Sequence, residues 1–196
     1  MARRKRTEAK KSDFFGLAEL EMTVNQDFID ETLDVRAKYP GNVCGIDPDR
    51  NGAIVITNTK GAILFKTGHF ASGWEAARNA LFEHGVHVIL VESAFVGKFP
   101  QAGLSGARMI GAALGTMLIG TRGATVLHVT PQTWQNMLFD LGKATSDQRK
   151  EAARTYARRF FGDAWFEALP RLVAQGTCDA WGITEWWRKL PDFYEG

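Results

Sequence analysis

The stretch Gly45-Ile46-Asp47-Pro48-Asp49-Arg50-Asn51-Gly52 joins two apolar runs, Val43-Cys44-Gly45-Ile46 before it and Ala53-Ile54-Val55-Ile56-Thr57 after it. Pro, Asn and Gly in close succession are turn formers, so the runs read as two strands, 43–47 and 52–58, joined by a tight reversal. A third strand over 62–68 follows a hairpin-like turn at Thr59-Lys60-Gly61, and the three make an antiparallel meander. The first strand ends on Asp47. A carboxylate at the end of a buried strand is costly unless a cation or a donor meets it. An Asp-Pro-Asp turn also uses its first aspartate simply to cap the reversal. Both readings of Asp47 stand at this point.

Further along, residues 73–84 are amphipathic, with Trp74, Ala77, Leu81 and Phe82 on one side and Gly85 as the stop. Residues 87–93 are apolar until Glu92, which predicts a parallel strand covered on both faces. A loop over 94–103 leads to a small-residue helix over 104–120, then a strand over 124–129. Thr130-Pro131 starts a helix through Phe139, a basic helix spans 146–161, and a last helix runs from about Thr177 to Arg188. Three antiparallel strands followed by strands alternating with helices is the order of the ribonuclease-H-like fold. The expected class is α/β: a mixed five-stranded sheet, three antiparallel then parallel strands, flanked by helices.

Two further acids stand in apolar surroundings. Glu92 closes the most hydrophobic strand, next to the first strand in this order, so it projects near Asp47; otherwise it lies at an exposed strand end. Two neighbouring carboxylates repel, and a divalent cation is the common remedy. Asp179 opens the last helix among Ala180, Ile183, Trp186 and Trp187. It faces inward toward the sheet, or it merely complements the helix dipole.

Composition bounds the remainder. The 196 residues, 45% hydrophobic and 23% charged, fit one globular domain with tails, and exclude a disordered, collagen-like or coiled-coil chain. The formal charge of +2 hides an asymmetry: residues 1–12 carry six bases and one acid, leaving the rest at −3. Such an arm binds nucleic acid, acts as an address, or is a solvated terminus. The expected organisation is a basic arm and partly helical extension over 1–41, the α/β domain over 42–190 and a short tail over 191–196. Cys44 and Cys178 are too far apart for a metal knuckle and read as reduced thiols. No apolar run is long enough for a membrane span, and no signal-peptide core follows the basic start. The expectation is an intracellular protein, cytoplasmic in a bacterial or phage-infected cell, with an organelle or nucleus left open by the basic start.

In sequence order, GIDPDRNGAIVI (45–56), VESAF (91–95) with its glycine- and alanine-rich helix, VTPQTWQNML (129–138) and CDAWGI (178–183) resemble the RuvC-type Holliday junction resolvases, most of all the phage and chloroplast relatives. The resemblance spans about 42–188. It implies a homodimeric, magnesium- or manganese-dependent endonuclease that resolves four-way DNA junctions by paired nicks. Asp47, Glu92 and Asp179 match the family's catalytic, metal-binding acids. The family's fourth ligand, an acid or histidine three residues before the last aspartate, is replaced by Gly176; Gln175 is nearby but a feeble ligand, Asp49 is the candidate substitute, and the departure implies either a weakly bound second metal or reduced cleavage. Phosphodiester hydrolysis needs an activated water and a stabilised leaving oxygen, which two hard cations about 4 Å apart provide. Oxygen ligands select magnesium or manganese. His69, His84, His87 and His128 lack metal-ligand spacing, which disfavours zinc.

Expected DNA contacts are Phe95, where the family places a stacking wedge, with Lys98, Arg108, Gln132, Lys143, Arg149 and Lys150 toward phosphates. Each has an ordinary alternative as a packed hydrophobe or a solvated charge. Small residues at 106, 111, 112, 115 and 120 pack that helix on the sheet or on a symmetry mate. A non-catalytic junction-binding or assembly module on the same fold is the alternative function. A general ribonuclease H acting on RNA:DNA hybrids is another. A nucleotide-binding enzyme of the actin or sugar-kinase type would need a duplicated domain for which the chain has no room.

Overall fold

The computed structural model describes residues 26–49, 51–68, 70–93, 111, 115, 123–141 and 144–194, with backbone alone at 70–72 and 193–194. In chain order the elements are α1 (Gln26–Lys38), β1 (Val43–Ile46), β2 (Ile54–Thr57), β3 (Ile63–Lys66), α2 (Phe70–Glu83), β4 (Val88–Glu92), β5 (Thr125–Val129), α3 (Pro131–Phe139), α4 (Ser146–Phe161), α5 (Asp163–Glu167) and α6 (Arg171–Tyr194). One five-stranded sheet runs β3-β2-β1-β4-β5. β1 pairs antiparallel with β2 and parallel with β4, and β4 pairs parallel with β5. This is the expected mixed sheet.

Every residue of β1 and β2 is buried, because both sheet faces are covered. Side chains alternate along a strand, so each strand feeds both layers. Cys44, Ile46, Ile54, Ile56, Ile89 and Val91 pack with Ala77, Ala80 and Leu81 of α2 on one face. Val43, Val88, Leu90, Leu127 and Val129 pack on the other with Trp134, Ile183, Trp186 and Trp187. Beside them, Ala53 and Val55 meet Ala180 and Trp181 of α6.

α6 lies directly on β1. A side chain at Gly45 would drive its Cβ into the carbonyl oxygen of Ala180, so helix and strand backbones touch there. α6 begins at Arg171, six residues before the expected start near Thr177, and continues through Pro191 to Tyr194. Pro170 stands just before it, the position where proline suits a helix entrance. Gly176 would weaken an isolated helix, and its burial against Gly52 offsets that weakness.

α1 supplies Ile29 to the core, stacks Phe28 on Trp186 at 6.5 Å, and donates from Arg36 Nη2 to the Arg188 carbonyl at 2.8 Å. Thr130 caps α3 by accepting from Thr133 N–H, with Pro131 at the first helical position. Thr145 and Gln148 form a reciprocal capping box on α4. The basic arm, the loop over 94–103 and all but Gly111 and Gly115 of the small-residue helix lie outside the described residues. Among the described residues, no helix is long and apolar enough to cross a membrane.

Candidate active site

The parallel pair β1–β4 is registered up to Ile46↔Val91. Asp47 and Glu92 follow one residue later on each strand, at the carboxyl ends where α/β sheets hold ligands. By alternation they project to the same face as Val43, Gly45, Val88 and Leu90, beneath α6. Asp179 precedes Ala180, the residue in contact with Gly45. The three acids are thus placed at one end of one sheet face. Asp179 stands in the third turn of α6, not at its start, so the helix dipole does not account for it.

Asp47 is 7% and Asp179 8% exposed, and Glu92 is partly buried. Burial, then repulsion from Asp179, pushes the Asp47 carboxyl up to about 7. Burial raises Asp179 to about 6, against the opposing hydrogen bond from Gln175. Glu92 is pushed well above the usual carboxylate range by burial, then by Asp179 and Asp47. Each acid lies within the field of the others, and an uncompensated cluster of this kind favours a cation.

Each acid also has its own hydrogen bond. Asp47 Oδ1 accepts from the Asp49 backbone N–H at 3.2 Å, so it caps its turn as well as facing the cluster. Glu92 Oε1 accepts from the indole N–H of Trp134 at 3.1 Å, and Trp134 is seated against Gly182 of α6. Both Asp179 oxygens accept from Gln175 Nε2 at 2.9 Å. Gln175 Oε1 is buried without a hydrogen-bond partner among the described residues. Among those residues, no three His, Cys, Asp or Glu side chains already converge as a preassembled metal shell.

α4 borders this cluster, packed on α6 through Ala157 and the stack of Tyr156 on Trp181 at 5.6 Å. Lys150, exposed, pulls down the carboxyls of both Asp47 and Asp179, and Arg154 one turn later acts on Asp179. Arg149 instead braces α3 against α4, its guanidinium donating to Asn136 Oδ1 and, at 3.3 Å, to the Ala144 carbonyl. Gln132 is partly buried in the first turn of α3. Phe95, Lys98, Arg108 and Lys143 lie outside the described residues. Both cysteines are buried free thiols, pushed up chiefly by burial.

Two residues at the cluster, Trp134 and Arg154, were not among the site residues expected from the sequence, whereas Gln175 was, as the neighbour of the missing fourth ligand. Gln175 and Arg154 carried a signal, since each stands four residues from a cluster partner on its own helix and so shares its face. Trp134 carried none, because an indole reads as core until its N–H is seen to have a target.

No family model and no curated protein matches the chain. Among solved structures, the fold resembles that of Thermus thermophilus RuvC, with a TM-score of 0.52 and 16% identity over 72% of this chain and 92% of that one. It also resembles T. thermophilus RuvC in complex with a Holliday junction substrate, with a TM-score of 0.54 and 17% identity over 76% of this chain and 95% of that one. The chain therefore has a RuvC-like, ribonuclease-H-like fold.

Proposed function

We propose that the chain is a structure-selective endonuclease that resolves four-way DNA junctions, using magnesium or manganese at Asp47, Glu92 and Asp179. The observation that carries this reading is the gathering of three acids, all with raised carboxyls, at the carboxyl ends of β1 and β4 beneath α6. The donor set fits a hard divalent cation: carboxylate oxygens, mutual repulsion to relieve, and a buried amide oxygen without a partner among the described residues. A divalent cation held by Asp47, Glu92 and Asp179 would supply Lewis acidity for water activation and for the charge on the leaving oxygen. Trp134 fixes the Glu92 carboxylate, Gln175 fixes that of Asp179, and Lys150 with Arg154 faces the incoming phosphate.

The neighbouring structure with a Holliday junction supports branched DNA as the substrate class. Two active sites are needed to nick two opposed strands, and a two-fold homodimer supplies the second. Purified protein with magnesium is expected to nick a four-way junction at paired positions. Asp47→Asn is expected to abolish nicking while junction binding stays measurable in a gel shift. Equal cutting by the variant overturns the assignment.

The glycine at 176 and the lack of a preassembled shell among the described residues favour one alternative, a junction-binding module without cleavage. Tight junction binding with no nicking in magnesium or manganese would establish it. An RNA:DNA hybrid in the same assay separates a general ribonuclease H.

A further inference from the structure

The resemblance places an acid or histidine three residues before Asp179, and this chain has Gly176 there. The packing explains the substitution. A Cβ at Gly176 would collide with the Asn51 carbonyl oxygen and lie 2.7 Å from Gly52 Cα. Gly52 and Gly176 form an isolated backbone bridge, so α6 rests on the turn between β1 and β2 with no room for a side chain. An acid cannot stand at 176 without parting these backbones.

One residue earlier, Gln175 shares a helix face with Asp179 and donates from Nε2 to both of its carboxylate oxygens at 2.9 Å. The other end of the same amide, Oε1, is buried and has no partner among the described residues. A buried carbonyl oxygen calls for a donor or a cation. We propose that Gln175 replaces the missing fourth ligand. Its amide clamps Asp179 in the metal-free protein, and rotation about the terminal side-chain bond turns Oε1 toward a divalent cation. This rests on the metal-dependent reading above. A neutral oxygen in place of a carboxylate leaves the site one negative charge poorer, so the weaker of two cation-binding events is weakened further. The acid is restorable at 175 and not at 176.

The test is manganese titration of the full chain without DNA, by calorimetry and by metal-induced shift of the melting temperature. Gln175→Glu is expected to tighten the weaker manganese event roughly tenfold, and the near-isosteric Gln175→Met to weaken it roughly tenfold. Gly176→Asp is expected to lower the melting temperature with no gain in manganese affinity. Circular dichroism checks that each position-175 variant is folded, and Gln175→Met remains informative if the added charge unfolds Gln175→Glu. Wild-type affinity in both Gln175 variants, with affinity lost in Asp179→Asn, overturns the proposal. So does weakening by Asp49→Asn with Gln175→Met unchanged, which assigns the role to Asp49. Junction nicking by the wild type is scored separately. Gln175-dependent manganese binding without nicking upholds this inference and removes the nuclease reading.

Discussion

Asp47 and Asp179 are acids whose carboxyls sit near 7 and near 6 in the folded chain, against an ordinary value near 3.8. Between about pH 4 and about pH 7 the folded protein therefore holds protons that the unfolded chain has released. By linkage, raising the pH through that window costs stability, and the cost is complete above the folded values. Metal-free protein in chelator is expected to melt at lower temperature at pH 8 than at about pH 5.5. On the proposed metal-dependent reading, magnesium should flatten that decline, because a divalent cation favours the deprotonated acids. Scanning calorimetry across the range checks both, and a metal-free melting temperature that rises with pH over this interval contradicts the site. At this scale the acids were legible because each interrupts an apolar run: Asp47 after Val43–Ile46, Glu92 after Val88–Val91, Asp179 ahead of Ala180-Trp181. Their partners were not. Nothing in one sequence says that an indole N–H on α3 will point at an acid on β4, since that contact is made by tertiary packing alone.

Among the elements, α6 organises the site, and two close backbone contacts at glycines set its position. Gly45 admits the Ala180 carbonyl and Gly176 admits the Asn51–Gly52 backbone, on either side of Asp179. Gly45→Ala forces helix and strand apart between Asp47 and Asp179. It is expected to cost about 1–3 kcal/mol of stability through overpacking. It should also weaken manganese binding, although it removes no ligand. Urea denaturation and calorimetry measure the two effects, and a stable variant with unchanged metal affinity would show that the close contact does not position the acids. Element order was readable because β strands, turns and caps signal locally: the apolar runs of β1 and β2 on either side of their turn, the Thr130-Pro131 start of α3, the Ser146 start of α4. The start of α6 was not. Gly176 carries a local helix-breaking tendency, and only the backbone of a distant turn explains why the helix runs through it. The short α5 was missed as well, its five residues being too few to show a period.

At the scale of the whole molecule, charge is arranged more sharply than the net value of +2 suggests. Three acids occupy one end of the sheet, and the basic stripe of α4 borders them with Lys150 and Arg154. A polyanion approaching that face meets cations before it meets the carboxylates. Lys150→Ala and Arg154→Ala are each expected to weaken junction binding across sequences, and to reduce the salt slope of log affinity by about 1. Gel shifts over a range of salt measure this, and an unchanged slope in both variants would place the DNA on another surface. Arg149, already committed to Asn136 and the Ala144 carbonyl, should affect stability before it affects binding.

The contact between Gly52 and Gly176 also has a genetic consequence. Glycine and aspartate codons differ by a single base, as do those of glutamine and glutamate, so mutation alone would supply an acid at either 175 or 176 with similar ease. Packing makes the two routes unequal. At 176 the new side chain must displace a backbone that in turn rests on it, so both segments would have to move together. At 175 the side chain already reaches Asp179 and needs only to change its terminal group. With glycine at 176, the direct mutational route to an acid there is closed by packing, and the route one residue away stays open.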